Sequence, residues 1–218
     1  MPMRYLLSSR WLKIPLFALC LVPALLLVWR AFHGGLGANP IEFVTHATGD
    51  WTLRFLCITL SITPLRKLLR VSELIRFRRM LGLFGFFYGS MHFLTWLVLD
   101  KFFDRNEIVE DVVKRPFITA GFTAFALIIP LAVTSTKGWT RRLGGRRWQL
   151  LHRLAYVSAS AGVVHYYWLV KSYVRLPLFY GVIVVLLLVY RLCANLLKGR
   201  TLALRGGLCT PPAVLPAE

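Results

Sequence analysis

Six stretches of the chain are apolar over lengths that cross a bilayer. They run about Ile14–Phe32, Val44–Pro64, Met80–Leu99, Phe117–Ser135, Trp148–Val170 and Leu176–Asn195. Each approaches the roughly 20 apolar residues that a helix needs to cross about 30 Å of hydrocarbon. The polar positions gather between these blocks rather than along one face of each, which is the pattern of spans and not of amphipathic surface helices. The expected fold is therefore an all-α integral membrane protein, a bundle of six transmembrane helices occupying residues 1–198. A short flexible cytoplasmic tail, 199–218, follows, and no room is left for a soluble domain. The first block is longer than a signal-peptide core and lacks a small-residue cleavage site, so it reads as a retained span.

Composition agrees with this pattern and excludes one class. The chain is 57% hydrophobic, against about 45–50% in an ordinary soluble domain. Its net charge of +18 would fit a nucleic-acid binder if the bases shared one soluble face. They do not. Segments Met1–Lys13, Leu65–Arg79, Thr136–Arg147 and the tail from Arg191 carry 3, 6, 5 and 4 Lys or Arg, whereas five of the acids fall in Asp100–Arg115. Lys and Arg of short loops stay on the cytoplasmic side. Both termini are thus expected in the cytoplasm of an inner-membrane, multi-pass protein that contacts lipid and not nucleic acid. The basic run RKLLRVSELIRFRR has two readings, a short amphipathic helix at the headgroups or a solvated loop. The mixed-charge run DKFFDRNEIVEDVVKR is the largest surface on the opposite side and a candidate docking site.

The four cysteines form neither CxxC nor CxxCH. A thioredoxin-like dithiol, a zinc ribbon and covalent haem attachment are excluded. No GxGxxG occurs, so the chain has no dinucleotide-binding domain of its own.

Histidines carry the chemistry. His33 and His46 fall at the outer ends of the first two spans and read as interfacial residues. His92, His152 and His165 fall inside spans, where an ionisable side chain marks function by default. His152 and His165 are 13 residues apart, about 20 Å along one helix, so they occupy different depths. His92 lies about 20 Å from the inner end of the third span, level with His165. A macrocycle between His92 and His165 would have its iron held from both faces, which favours electron transfer over oxygen binding. Zinc would need its ligands in one tetrahedral cluster, and these are spread in depth. Gly82, Gly85 and Gly89 before His92, and the small residues Ser158–Gly162 before His165, read as room for a flat ligand. Trp29, Trp51, Trp96, Tyr166, Tyr167 and Trp168 read as an outer aromatic belt, and Trp11, Trp139 and Trp148 as an inner one.

The stretches GANPIEFVTHATGDWTLRFLCITLSITPLR, VKRPFITAGFTAFALIIPLAVTSTKGW and RRLGGRRWQLLHRLAYVSASAGVVHYYWLVKS resemble the MsrQ (YedZ) family. That family is the haem-binding membrane subunit of the MsrPQ protein-methionine-sulfoxide reductase system, within the ferric-reductase-like transmembrane superfamily. The resemblance covers all but about the last twenty residues. It implies haem b, electrons drawn from the quinone pool by way of quinol or a flavin (FMN), and delivery to the periplasmic molybdopterin enzyme MsrP for methionine sulfoxide repair. The chain itself would be an electron-transfer subunit, with the substrate chemistry on its partner. The rival functions are a membrane ferric or cupric reductase and a non-enzymatic haem sensor or carrier.

The superfamily pattern places two histidines on each of two helices. Here His92 with His165 completes an outer iron site, while His152 alone marks an inner one. Arg78 stands near the missing position, and a protonated arginine is no ligand. The inner haem is then absent, singly ligated or completed by another residue. Arg78 and Arg79 serve either topology or contacts to haem propionate, quinone or flavin phosphate. Arg54, a charge within the second span, calls for an anion. The choices are a propionate or an internal partner such as Asp50, one turn earlier.

Overall fold

The structure, a computed structural model, describes residues 11–170 and 174–207, with side chains described up to 197. Among the described residues every regular element is helical. In chain order they are α1 (Lys13–Phe32), α2 (Pro40–Leu68), a 3₁₀ turn (Ser72–Leu74), α3 (Ile75–Leu94) continued by a π-helical turn (Thr95–Asp100), α4 (Arg105–Lys114), α5 (Pro116–Val133), α6 (Lys137–Leu151), α7 (Leu154–Leu169) and α8 (Arg175–Gly207).

Local chemistry sets several of these boundaries. α2 begins where Asn39 accepts the Glu42 amide at 3.3 Å and donates back to the Glu42 carboxylate at 2.9 Å, with Pro40 in the first turn. This is reciprocal capping of two otherwise unpaired groups. Asp104 caps α4 by accepting the Asn106 and Glu107 amides. α5 also opens on a proline, Pro116, whose missing N–H costs nothing at that position.

Among the described residues four helices are long and apolar enough to cross a membrane: α1, the stretch Ser72–Asp100, α5 and the Arg175–Leu197 part of α8. α2 has the length, at 29 residues, but not the hydropathy. Its Thr45, Thr48, Thr52, Thr59 and Ser61 each return the hydroxyl proton to a carbonyl four residues back. Polar side chains are thereby satisfied within the helix. α7 is only 16 residues long.

The reason α2 differs lies in its place. One face packs Phe55 and Ile62 against Cys20 and Ala24 of α1 and Phe77, Leu81, Phe84 and Tyr88 of α3. The other packs Leu53, Cys57 and Leu60 against Tyr156 and Ala159 of α7 and Tyr180 and Val184 of α8. A helix with protein on both sides has no need of an apolar exterior. α1 and α8 instead present Leu25, Leu26, Val182, Val185 and Leu186 outward. Cys20, Cys57 and Cys193 are unpaired.

Four expectations need correction. The fifth block is not one helix from Trp148 to Val170. It is broken at His152–Arg153, where Ala155 and Tyr156 bond three residues back rather than four. The Thr136–Arg147 segment is helical rather than a loop, with a kink at Gly144 (φ 72°). The basic run between the second and third blocks forms no separate interfacial helix: α2 continues to Leu68 and α3 starts at Ile75. The last helix passes Asn195 and runs through Gly207, into the expected tail; residues 208–218 of that tail lie outside the described residues.

α1 contains Pro23, which removes one bond of the helical ladder. The buried Tyr88 of α3 inserts at the adjoining rung: its hydroxyl accepts the Ala24 amide at 3.1 Å and donates to the Cys20 carbonyl at 2.8 Å. Tyr88→Phe removes both of these bonds from an apolar setting. The expected cost is about 1–3 kcal/mol, read as a lower melting temperature in detergent with the spectrum of any bound chromophore unchanged.

Lys101 is the hub of the connection from α3 to α4. Its Nζ lies 2.7 Å from the buried Asp111 carboxylate and 3.7–3.8 Å from Glu107 and Asp100. Arg115 contacts the other Asp111 oxygen at 3.2 Å. The pair holds a turn in which Phe102 and Phe103 both have positive φ (46° and 61°), a conformation bulky residues rarely take. Asp111 keeps the Lys101 ammonium above the ordinary lysine range. That contribution is fully present below the unfolded lysine value and is lost only as pH rises through the raised one. Lys101→Ala should destabilise the protein by about 2 kcal/mol, less than a deep pair because water screens the rim. Proteolysis within 100–115 would report it as faster cleavage.

Candidate haem-iron site

A cavity of about 470 Å³ opens between α2, α3, α5 and α7, at the end of the bundle that carries the α3–α4 connection. Volumes of this order hold cofactor-sized ligands. Its walls are Gly49 and Leu53 from α2, Gly89, His92 and Trp96 from α3 and its π turn, Gly121 and Phe125 from α5, and Gly162, His165 and Tyr166 from α7.

The His92 and His165 rings meet there, with centroids 6.0 Å apart and planes at 74°. Two imidazoles that share one iron, each about 2 Å from it, place their centroids roughly 6 Å apart. The tautomers follow from the partners. His92 Nδ1 lies 2.9 Å from the Thr45 carbonyl, and His165 Nδ1 lies 2.6 Å from the Phe117 carbonyl. A carbonyl only accepts, so both Nδ1 atoms carry the proton and both Nε2 atoms keep their lone pair. The two rings are thus oriented as neutral donors.

Two glycines make this arrangement possible. A Cβ at Gly121 would stand 2.7 Å from His165 Nδ1, and one at Gly49 would stand 3.1 Å from His92 Nδ1. Any side chain at either position intrudes on a ring. A third feature fits a macrocycle with anionic edges: the indole Nε1 of Trp96, on the cavity wall, is buried without an acceptor. Buried donors without partners are rare, and a carboxylate is the natural complement. The residues present therefore fit a haem whose iron lies between His92 and His165.

The other expected site residues lie outside this cavity. Arg54 donates from Nε to Tyr180 Oη at 2.9 Å, pairs with Asp50 at 3.4 Å and lies over the Trp51 ring. Of its two readings, the internal pair is the one formed, and the propionate contact is not needed to explain it. Asp50 itself lines the cavity, as does the exposed His46. His33 stacks on Trp29 and bonds its carbonyl, an interfacial arrangement.

His152 lies apart, at the α6–α7 break. Its Nδ1 contacts the Trp148 carbonyl at 3.0 Å and its ring stacks on Trp148. Nε2 is buried near the Leu131 carbonyl without forming a proper hydrogen bond. Arg78 is half-buried within electrostatic reach of His152; Arg79 is exposed.

The glycine reading also needs revision. Gly82 packs on Thr59, and Gly85 packs on Leu56 and Phe55, so these two serve helix contact. Of the small residues read as room for a ligand, Gly89, Ser158 and Gly162 reach the cavity. Gly49, Gly121, Thr45 and Phe117 escaped sequence reasoning because their histidines lie 43–48 positions away. Trp96 and Tyr166 were assigned to the aromatic belt yet line the cavity. Trp96 was findable, since it follows His92 by one helical turn on the same face.

Comparison with known proteins gives a consistent answer. Residues 45–163 match the family described as ferric reductase like transmembrane component. A relative from Herminiimonas arsenicoxydans, named protein-methionine-sulfoxide reductase heme-binding subunit MsrQ, is 57% identical over 83% of this chain and 84% of its own length. Relatives of the same name from Azospira oryzae (48% identical, 94% of this chain and 87% of the relative) and Xanthomonas euvesicatoria (47%, 94% of each) extend the match over nearly the whole sequence. With more than half the chain inside that transmembrane family and identities this high across its length, the chain belongs to the MsrQ family of ferric-reductase-like membrane proteins.

Proposed function

We propose that this chain is the haem b subunit of a periplasmic methionine-sulfoxide repair system. It would take electrons from the quinone pool, by way of quinol or a flavin such as FMN, and pass them to the molybdopterin enzyme MsrP. The carrying observation is the pair His92 and His165, set across one cavity with both Nε2 atoms free. The relatives' printed name supports haem and a methionine-sulfoxide reductase.

Haem b, held by His92 and His165, would supply a one-electron carrier there. The chain's own residues do the rest. Thr45 and Phe117 hold the two rings in the ligating tautomer. Gly49 and Gly121 let them approach. Leu53, Phe93 and Phe125 keep water from the cavity wall, and Trp96 offers a hydrogen bond to an anionic edge. Two protein ligands leave no open coordination site, which suits electron transfer better than binding of a gas or a free metal ion.

The same reading has six spans with both termini in the cytoplasm, placing the cavity towards the periplasm. The buried setting of α2 explains how a helix below the usual hydropathy can sit in the bilayer. A second, inner haem on His152 would need its ring to leave the Trp148 stack.

The test uses purified, haem-loaded protein in detergent. Reduction by a quinol analogue followed by reoxidation with MsrP, and not with free ferric ions, is the expected result. Reoxidation by ferric ions alone would turn the assignment to a metalloreductase. Failure of every quinol to reduce the haem would leave a sensor or carrier.

A further inference from the structure

The inner end of the bundle holds a second cluster of charge that electron transfer does not use. Arg66 at the end of α2, Arg78 at the start of α3 and Arg191 on α8 are each half-buried. They come from three helices: Arg66, Arg191 and Tyr156 of α7 each lie within electrostatic reach of Arg78. Arg191 donates to Tyr156 Oη at 2.6 Å, and its guanidinium lies 4.4 Å over the same ring. Arg78 forms neither a hydrogen bond nor an ion pair among the described residues.

The acids are elsewhere. Among the described residues only Glu73 falls at this end, and its carboxylate contacts its neighbour Ser72 at 3.5 Å. Three converging guanidinium groups half out of water repel one another and lose hydration. A cluster of this kind is stable when an anion sits among the guanidinium groups. Planar, forked donors match the oxygens of phosphate, which they bind through paired hydrogen bonds. Tyr156 accepts from Arg191, so its own proton remains to be donated.

We propose that Arg66, Arg78, Arg191 and Tyr156 form a binding site for one phosphate group at the inner mouth of the bundle. The phosphate is carried either by an anionic lipid headgroup or by a soluble ester. Its position at the inner ends of α2, α3, α7 and α8 ties four helices together through one ligand, next to His152.

The experiment compares the haem-loaded wild type with Arg66→Gln, Arg191→Gln and the double variant, and with Arg141→Gln as an exposed basic control. Thermal unfolding is followed against inorganic phosphate and glycerol 3-phosphate in nonionic detergent, and in nanodiscs of phosphatidylcholine with or without phosphatidylglycerol. Phosphorus retained after delipidation is counted per chain. The expected result is saturable stabilisation of wild type and control by a phosphate source, weakened about tenfold in each single variant. Response to soluble phosphate assigns an ester. Response only to phosphatidylglycerol, with about one lipid phosphorus retained per chain, assigns a headgroup. Equal behaviour of wild type and double variant, or no response to any phosphate, overturns the site. So does a change confined to the haem spectrum, which would make the arginines part of a haem pocket instead. Should the double variant fail to fold, the single variants decide.

Discussion

His92→Ala and His165→Ala should each abolish the low-spin haem spectrum of the outer site. The two imidazoles meet in one cavity with centroids 6.0 Å apart, and of the other histidines only His46 shares its wall. His46 is at the exposed mouth, and His152 is outside the cavity. Loss of one ligand leaves five-coordinate, weakly held haem, so haem per chain should fall as well. His165→Gly with added imidazole should recover the low-spin bands, because the vacated space is the size of the missing ring. His152→Ala should leave the outer spectrum in place. A haemochrome assay with absorption spectra on each purified variant measures all of this. A full low-spin spectrum in His165→Ala would move the iron away from this cavity.

Gly121→Ala should approach the effect of losing the ligand, although alanine is a better helix former. The added Cβ would lie 2.7 Å from His165 Nδ1, 2.9 Å from Cε1 and 3.1 Å from Cγ. Contacts this short displace the ring or the α5 backbone. Displacing the ring lengthens the Nδ1 bond to Phe117, on the same helix one turn before Gly121. Disturbing a group that orients a metal ligand typically costs 10–100-fold in affinity, and the expected fall in haem affinity is about that size. Gly49→Ala, with its closest contact at 3.1 Å, should cost less. Gly82→Ala, whose Cβ would meet only Thr59 at 3.5 Å, should retain haem. Titrating haem into the three purified apoproteins ranks them. Equal affinity for Gly121→Ala and wild type would show that the ring has freedom the packing does not display.

Much of the fold was legible from the pattern alone, for a physical reason. A bilayer forces apolar side chains outward over a set length, so α1 and α5 show as blocks close to their helical limits, and α8 does so at its start. The breaks were less visible. His152 and Arg153 keep right-handed backbone angles, and the interruption is a matter of hydrogen-bond spacing that no residue type announces. The reach of α3 back to Ile75 was hidden because Arg76, Arg78 and Arg79 read as loop. Basic side chains at a helix end can extend to the headgroups while their backbone stays helical.

The site divides in the same way. His92 and His165 stood out because a bilayer penalises ionisable groups without a task, and matched depth on two helices followed from a rise of about 1.5 Å per residue. The partners that orient their rings did not. Thr45, Phe117, Gly49 and Gly121 are ordinary residues until α2 and α5 lie against α3 and α7.

What the sequence by itself determined was the membrane setting, the all-helical class and the two histidines that face each other. These follow from hydropathy and helical rise, which act locally. Tertiary structure alone decided that Arg54 is spent on Asp50 and Tyr180, that Gly82 and Gly85 join helices rather than admit a ligand, and that Trp96 leaves the belt for the cavity wall. It also decided that Arg66 and Arg191, from distant segments, come within electrostatic reach of Arg78 beside Tyr156. Each of these depends on which helix faces lie together, and burial and charge balance at such contacts are properties of the assembled bundle.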